Sequence, residues 1–306
     1  MATTLTEYAK LSNDVLKAGV IETIIKDNPL LQLLPWVEII GNALTYNREL
    51  TIPLAEWHGA NDDWSTSPAL TFTQKTASLF ILGQNADVDN YARQTRSNIN
   101  DLEAVTVELT AKALRNELEL TLLYGNNTLV PTQFDGLIKL IDTATASDQL
   151  IAAAASGGGT LTLTMLDSLI DAVLGGKPDL LLMCAKTRRK ISDLCRAAGN
   201  NLQYTNVLGT PVEAYNGIPI QTSNLIKTAH TVSGSVETAM TGGASNTIYA
   251  IRFGEDALCG LTGGGGMQIY KMGDLETKDA TRTRIKMYCG LVLFSQLSCA
   301  ALIGIA

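Results

Sequence analysis

Histidine is nearly absent from this chain, because His58 and His230 are the only two in 306 residues. Any catalytic triad that uses histidine must therefore use one of them. The zinc-protease motif HExxH and the hydrolase turn GxSxG are also missing. One local alternative remains, a hydrolytic site at His58. Its polar neighbours Asp62, Asp63 and Ser65 are residue types common in turns, so we predict no catalytic residue.

Cysteine pairs and phosphate-binding loops are missing too. The cysteines form no CxxC pair and mostly lie among apolar residues, which indicates reduced, buried thiols. They are Cys184, Cys195, Cys259, Cys289 and Cys299. The Gly176-Lys177 pair is followed by proline instead of serine or threonine, and the glycines at 263–266 do not fit GxGxxG. We therefore predict no metal site and no bound cofactor.

Charged residues are scarce, at 17% of the chain, whereas soluble domains typically have about 25%. This low fraction indicates that much of the surface faces protein, which favours an oligomer. The net charge of −7 argues against a tight grip on nucleic acid, which requires a basic face. We interpret the basic run at 186–190 as a solvated helix face. Any contact with DNA is expected to be weak and non-specific.

The sequence predicts neither export nor a membrane span. The first residues lack the basic region and apolar core of a signal peptide, so we expect a cytoplasmic protein. The last 18 residues carry no charge, but Ser295, Gln296 and Ser298 interrupt their apolar run. A buried strand that leads into a buried terminal segment is the preferred interpretation.

Two segments near the N-terminus have clear periodicity. Residues 6–27 predict an amphipathic helical arm that ends at Asn28-Pro29. Its apolar positions are Leu11, Val15, Leu16, Ile21, Ile24 and Ile25. From residue 44, strict alternation predicts a half-buried strand in which only Arg48 interrupts the apolar series. A returning strand is predicted from about Leu70 to Val88, so residues 42–90 are expected to form one long hairpin.

The tip of this hairpin has an unusual composition. Trp57 and Trp64 lie among glycine, asparagine, aspartate, serine and proline, which are turn-forming residues. About 20 extended residues span roughly 65 Å, so the hairpin must project. Because aromatic anchors dominate protein interfaces, we predict that another molecule buries it. The residues assigned to this interface are Trp57, His58, Trp64, Phe72, Leu50, Ile52 and Leu54.

The rest of the chain combines one long helix with an alternating region. A helix is predicted at 101–124, with Asn100 and Glu103 in a capping arrangement and Gly125 as its stop. The following PTQFDGLI is interpreted as a turn that leads into an extended piece. From residue 161 helices and strands alternate, which indicates an α/β unit. The strands TIYAIRF, GMQIYKM and RTRIKMYCGLVLF are predicted to follow it.

This order of parts resembles the major capsid proteins of tailed bacteriophages, whose Hong Kong phage capsid fold is shared with encapsulins. The resemblance covers nearly the whole chain. Three sequence segments carry the resemblance: LLYGN followed by PTQFDGLI, then PDLLLMCAKTRRKISDL, and then VLGTPVEAYNGIPIQTSNLI. The resemblance implies an α+β fold with an N-terminal arm, a long extended hairpin loop, a peripheral domain with a spine helix, and an axial α/β domain.

The resemblance also implies domain boundaries. Residues 1–41 would be the arm and the start of the peripheral domain, and 42–91 the extended loop, which lies over a neighbouring subunit. Residues 92–135 and 267–306 would form the peripheral domain. Residues 136–266 would form the axial domain, which meets its copies around five-fold and six-fold positions.

The function implied is that of a structural major capsid protein, not an enzyme, which self-assembles into an icosahedral shell around the double-stranded DNA of a tailed phage. Expected partners are its own copies in pentamers and hexamers, with scaffold, portal or decoration proteins as further candidates. Assembly is expected in the host bacterial cytoplasm, and the location is the virion capsid. The alternative is an encapsulin-type compartment that holds cargo enzymes; a hydrolase that uses His58 is a weaker one.

The chain differs from some members of the family in two features, so the properties tied to those features are not assigned to it. The helical arm starts near residue 6, so a separate scaffold, or none, is expected. Lys75 is the only lysine of the hairpin and lies on its returning strand, away from the tip. Crosslinking between subunits, known in some members of the family, is therefore not claimed for this chain.

Overall fold

The computed structural model describes residues 30–51, 57–62, 71–96, 102–142, 149–153, 159–199, 202–207, 210–226, 246–264 and 266–305. Its helices are α1 (Leu30–Leu33), α2 (Asn90–Arg96), α3 (Leu102–Tyr124), α4 (Leu137–Asp142), α5 (Leu163–Asp171) and α6 (Ala185–Ala197), with a 3₁₀ turn at Gln296–Ser298. Its strands are β1 (Trp36–Glu38), β2 (Ala43–Thr51), β3 (Thr71–Ser78), β4 (Phe80–Asp89), β5 (Leu150–Ala152), β6 (Leu180–Met183), β7 (Gln203–Val207), β8 (Thr210–Tyr215), β9 (Ile218–Thr222), β10 (Asn246–Ile251), β11 (Leu258–Thr262), β12 (Gln268–Leu275), β13 (Lys278–Leu293) and β14 (Cys299–Ile305).

A seven-stranded sheet, in the order β5-β14-β10-β6-β9-β8-β7, forms the α/β region. Its central strands read as continuous apolar runs because both faces are covered. Every residue of β6, β10 and β14 is buried. One face packs on α5 and α6, through a cluster that includes Leu166, Ile191 and Leu302. The prediction of a buried terminal strand is confirmed by β14, and α5, β6 and α6 confirm the predicted alternation.

A second sheet is organised around the 16-residue strand β13. One edge of β13 pairs with β12 and then with β11, which pairs in turn with β1; the other edge pairs with β4. The long helix α3 buries Leu118, Leu122 and Leu123, and these leucines belong to a core that also contains Tyr249 of β10 and Leu291 of β13. The helix therefore links the cores of both sheets, and its predicted span is confirmed over Leu102–Tyr124.

The end of α3 depends on two glycines in close contact. The N–H of Gly136 donates to the carbonyl of Gly125 at 2.8 Å. A Cβ at Gly125 would lie 2.3 Å from the carbonyl oxygen of Phe134, and one at Gly136 would lie 2.5 Å from the amide nitrogen of Gly125. Side chains at these positions are therefore excluded, and the contact between the two glycines closes the segment 125–136 that joins α3 to α4.

Two predictions of local structure are wrong. The returning strand is not continuous, because β3 pairs with β2 whereas β4 pairs with β13 over ten residues from Phe80 to Asp89. The free edge of β13 supplies a partner that lies about 200 residues away along the chain, where local periodicity does not show it. The piece after PTQFDG is the helix α4 instead of a strand, because Leu137, Ile138 and Ile141 share one buried helical face.

Several predicted features lie outside the described residues. These are the arm at 6–27, the capping residue Asn100, and the loop that contains His230.

Candidate inter-subunit interface

The base of the predicted hairpin is a two-stranded ribbon, β2 with β3, in antiparallel register from Ala43 opposite Ser78 to Thr51 opposite Thr71. The predicted alternation is present: Leu44, Tyr46 and Arg48 are half-buried, whereas Thr45, Asn47 and Glu49 are exposed. These two side chains pack on a buried cluster that contains Cys259, Leu261 and Val292 of the same chain. The base of the ribbon thus covers its own subunit.

Arg48 lies on the same face as Leu44 and Tyr46, although it interrupts their apolar series. Its Nε donates to the carbonyl oxygen of Phe294 at 2.7 Å, and its terminal nitrogen donates to that of Leu293. The Tyr46 hydroxyl donates to the same Leu293 oxygen at 3.2 Å. We call Tyr46, Arg48, Leu293 and Phe294 the Arg48 cluster; it joins the ribbon to the end of β13.

Aromatic contacts complete the Arg48 cluster. The guanidinium carbon of Arg48 lies 5.4 Å from the centre of the Tyr46 ring, and the Tyr46 and Phe294 rings meet edge to face at 5.0 Å. Burial raises the pKa of the Tyr46 hydroxyl, although the nearby positive charge of Arg48 partly opposes this. The hydroxyl therefore stays protonated and remains a donor at neutral pH.

The described part of the tip, residues 57–62, exposes an aromatic side chain. Trp57 is fully exposed and His58 is half-buried. Asn61 has a φ of 71°, and the N–H of Gly59 donates to a carboxylate oxygen of Asp62 at 2.5 Å, which makes this a tight turn. Asp62 thus serves the turn, and the structure assigns it no catalytic partner among the described residues.

The assigned interface residues are only partly described. Trp57 and His58 lie at the tip, and Phe72 is exposed at the start of β3. Leu50 lies in β2, but its side chain is outside the description. Trp64, Ile52 and Leu54 lie outside the described residues, as do Asp63 and Ser65 of the hydrolase alternative. Their role in an interface stays a prediction.

The exposed apolar surface on β12 was not predicted. Met267, Ile269, Tyr270 and Met272 are all exposed, within and just before an edge strand of the five-stranded sheet. The signal was present in the sequence, because GMQIYKM places four large apolar residues in six positions with a single charge. The strand was recognised, but periodicity alone does not show that a strand lies at a sheet edge.

The side chains available for chemistry are engaged in structure. All five cysteines are free and buried, and burial raises the pKa of Cys289 and of Cys299 to about 12. The buried, reduced thiols predicted above are confirmed. Within the described ranges, no group of three or more His, Cys, Asp or Glu side chains could hold a metal ion. Likewise, none of the helices described is both long and apolar enough to span a bilayer.

The basic run lies on α6 and is partly neutralised by its own chain. Arg188 donates to a carboxylate oxygen of Glu213 at 2.9 Å, whereas Lys186 and Arg189 are exposed. Arg196, nearly two turns beyond the run, pairs with Asp193. This arrangement agrees with the interpretation of a solvated helix face.

Comparisons with known proteins agree on one fold. The sequence pattern described as the phage capsid family matches residues 11–300. No curated protein sequence matches the chain significantly.

Among solved structures, the holo-SrpI encapsulin complex from Synechococcus elongatus is similar with a TM-score of 0.70 and 18% identity, over 100% of this chain and 96% of that one. The capsid of a native GTA particle has a TM-score of 0.68 and 12% identity, over 100% of both chains. Mycobacterium phage Adephagia has a TM-score of 0.64 and 13% identity, over 100% and 98%.

Proposed function

This chain belongs to the phage capsid family and is a structural shell protein, and from that premise we propose that its ribbon is the arm by which each subunit holds a neighbour in an icosahedral shell. The observation that carries the proposal is the complete exposure of Trp57 at the tip of a ribbon whose base is fixed to the subunit. A tryptophan in that position gains burial only when another molecule covers it.

The ribbon has further reasons to meet a second copy. A two-stranded ribbon is marginally stable alone, and among the described residues neither edge of the β2-β3 ribbon pairs with a further strand. Phe72 adds a second exposed aromatic ring to β3. When one surface of a subunit binds a different surface of the next subunit, the same contact can repeat from subunit to subunit. If the rotation between neighbouring subunits closes on itself, the subunits form a ring, and rings can then join into a shell. We assign Trp57, His58, Trp64, Phe72, Leu50, Ile52 and Leu54 to this contact.

The domain arrangement is part of the same proposal. The five-stranded sheet with α3 would form the peripheral domain, and the seven-stranded sheet would form the axial domain that meets its copies around five-fold and six-fold positions. Residues 267–306 were assigned to the peripheral domain from the resemblance, but β14 pairs with β10 and β5, so we propose instead that Cys299–Ile305 belongs to the axial sheet. Scaffold, portal and decoration proteins remain candidate partners, and assembly would take place in the bacterial cytoplasm.

We further propose that the shell encloses double-stranded DNA. A net charge of −7 per subunit disfavours tight binding of DNA to the wall, which suits DNA that must move during packaging. The second candidate is an encapsulin-type compartment, because the holo-SrpI encapsulin complex has a similar fold. The contents of purified particles discriminate between the two. A hydrolase that uses His58 stays a third, weaker hypothesis, for which replacement of His58 and an activity assay is the test.

The contact is tested by replacing both tip tryptophans. We expect Trp57→Ala with Trp64→Ala to prevent or strongly reduce shell formation while the subunit stays folded, because the apolar anchor is removed without change to the core. Electron microscopy and light scattering measure assembly, and circular dichroism measures folding. Tyr91→Ala is the matched control, since it removes an exposed aromatic ring outside the ribbon. Intact shells in the double variant would contradict the proposal.

A further inference from the structure

A cavity with a volume of about 240 Å³ lies at the base of the ribbon. Its walls are β3, the end of β13, the closed segment 125–136 and the start of α4. Every residue that lines it belongs to the described part of the chain. We call this space the ribbon-base cavity.

Two strand edges face the ribbon-base cavity. Thr76, Ala77 and Ser78 all line it, and because neighbouring side chains of a strand point to opposite faces, the edge of β3 borders the space. Leu291–Leu293 border it in the same way, beyond Cys289, where the pairing of β13 with β4 ends. Among the described strands, none continues either ladder into the cavity. The space is therefore built into the point where the ribbon leaves the sheet.

One carboxylate, that of Asp135, lines the cavity. Asp135 is half-buried, and one of its oxygens accepts a hydrogen bond from the backbone N–H of Asn127 at 2.9 Å. Within the described ranges, no lysine, arginine or histidine side chain pairs with it. A carboxylate that is partly removed from water is stabilised when a positive charge binds beside it. The cavity therefore favours a cation.

Aromatic rings line the same space. Tyr46, Phe80 and Phe134 contribute to the lining, and the centres of the two phenylalanine rings lie 6.5 Å apart. The chain already places a cation on one of the three rings, because the Arg48 guanidinium lies over Tyr46. Rings next to a carboxylate suit an organic ammonium ion, since the ring faces attract its charge and its methylene groups pack on them.

The lining is less suited to a metal ion or to water alone. Calcium takes roughly six to eight oxygen ligands, whereas Asp135 is the only carboxylate in the cavity. About eight water molecules of roughly 30 Å³ each would fill the volume, but they would not supply a positive charge. Phe134 and Leu291 are buried and, with Leu140, form an apolar part of the lining that water does not satisfy.

We propose that the ribbon-base cavity binds a small alkylammonium ion, with Asp135 as its counter-ion and the rings of Phe80 and Phe134 beside its methylene groups. Thr76 and Ser78 add hydroxyl oxygens that can accept from the ammonium protons. The proposal goes beyond shell formation, because the site lies within one subunit. Its failure would leave the proposed capsid function unchanged, and a failure of shell assembly would leave the site intact.

The first experiment tests the charge of the ligand. n-Butylammonium chloride is added to unassembled subunits, with 1-butanol, sodium butyrate and sodium chloride as matched probes. We expect butylammonium to bind with a Kd on the order of 1 mM, which is within the limit for so small a ligand, and the other three not to bind. Because the ion binds the folded state, it should also raise the midpoint of thermal unfolding. Ligand-observed NMR measures the Kd.

The second experiment removes the charge of the site. Asp135→Asn keeps the shape of the side chain and an oxygen that can accept from Asn127, so the subunit should stay folded. The Kd for butylammonium should rise about tenfold or more, because a charge-assisted contact is lost. Glu49→Gln is the matched control. It removes an exposed carboxylate from the same ribbon, outside the cavity lining, and should leave the Kd unchanged.

A third variant and a second measurement locate the ion. Phe80→Leu keeps an apolar side chain but removes a ring, so the Kd should rise several-fold. In hydrogen exchange, butylammonium should slow the opening of β3 in the parent and have no such effect in Asp135→Asn. Protection that appears only on other elements would place the ion elsewhere and contradict the proposal.

Three further results would overturn the inference. They are the absence of butylammonium binding, equal affinity for butylammonium and 1-butanol, and equal affinity in the parent and Asp135→Asn. The first two need no variant, so the test stays valid even if a substitution disturbs folding. Binding that is selective for the cation, weakened in Asp135→Asn and kept in Glu49→Gln supports the inference.

Discussion

Arg48 shows at the scale of one residue how a charged side chain can serve an apolar face. The guanidinium lies over the Tyr46 ring and donates to two carbonyl oxygens at the end of β13, so its polar groups are satisfied while its stem packs on the ribbon. Those carbonyls, of Leu293 and Phe294, lie at the end of β13, where Leu293 is the last residue paired with β11. Arg48 therefore fixes the position of the ribbon relative to the sheet.

The first prediction concerns this residue. Arg48→Ala should lower the free energy of unfolding by about 1–3 kcal/mol, because charge-assisted hydrogen bonds to the carbonyls of Leu293 and Phe294 are lost and only Leu293 keeps another side-chain donor, Tyr46. Arg48→Lys should recover only part of this, since one ammonium group cannot bridge two acceptors and stack on the ring in the same way. Denaturant titration measures the change, and hydrogen exchange reports faster opening of β2.

Glu49→Ala is the control for Arg48, because Glu49 is the next residue and is exposed. Its effect should stay within about 0.5 kcal/mol, as for most surface substitutions. If Arg48→Ala changed neither stability nor exchange in β2, the Arg48 cluster would not hold the ribbon.

At the scale of the element, the sequence predicted the helices and strands that depend on nearby residues of the chain. It did not predict the strand pairings that depend on distant residues. The helix α3 and the strand β6 have long or uninterrupted local signals, and both were predicted. The strand β1 has three residues and pairs with β11 more than 200 residues away, so no local pattern could reveal it. In the candidate site, the exposed tip tryptophan was predicted, but the partner of Arg48 was not, because the guanidinium bonds to backbone carbonyls of a remote strand.

The pairing of β4 with β13 yields a prediction on pH. Two nitrogens of Arg282 donate to the two carboxylate oxygens of Asp87, each at 2.6 Å, and these hydrogen bonds lower the pKa of Asp87 below its ordinary value of 3.8. A lowered folded-state pKa means that the pair stabilises the subunit above that ordinary value. The contribution is lost as the pH falls through the lowered pKa.

We therefore expect Asp87→Asn to destabilise the subunit at pH 7 and to have progressively less effect as the pH falls from 3.8 through the lowered pKa, because the parent loses the ion pair over that interval. Denaturant titrations of both proteins across this range measure the difference. Asp256→Asn is the control, since Asp256 pairs with Arg252 at a site where the carboxylate is largely exposed. A difference between Asp87→Asn and the parent that stays constant with pH would show that the Asp87 charge does not contribute.

At the scale of the whole molecule, the low charge fraction and the exposed apolar residues have one explanation. A subunit of a closed shell has several neighbours, so a surface that is apolar in the isolated chain is buried in the assembly. Trp57 and Phe72 lie on the ribbon whereas Ile269 lies on β12, which is consistent with contacts to more than one neighbour. The net charge of the subunit is negative, and this charge affects how the shell interacts with the molecules that it encloses.

The last prediction concerns those contents. Particles purified from the cells that naturally produce them should contain nuclease-protected double-stranded DNA and no stoichiometric cargo enzyme. DNA released by opening the shells should leave the wall readily at low salt, because few phosphates are neutralised by a subunit of charge −7. The slope of log K against log salt, measured with purified subunits and duplex DNA, should be near zero. A steep slope would show that basic residues such as Lys186 and Arg189 bind the DNA directly, and a protein cargo without DNA would favour the compartment over the phage capsid.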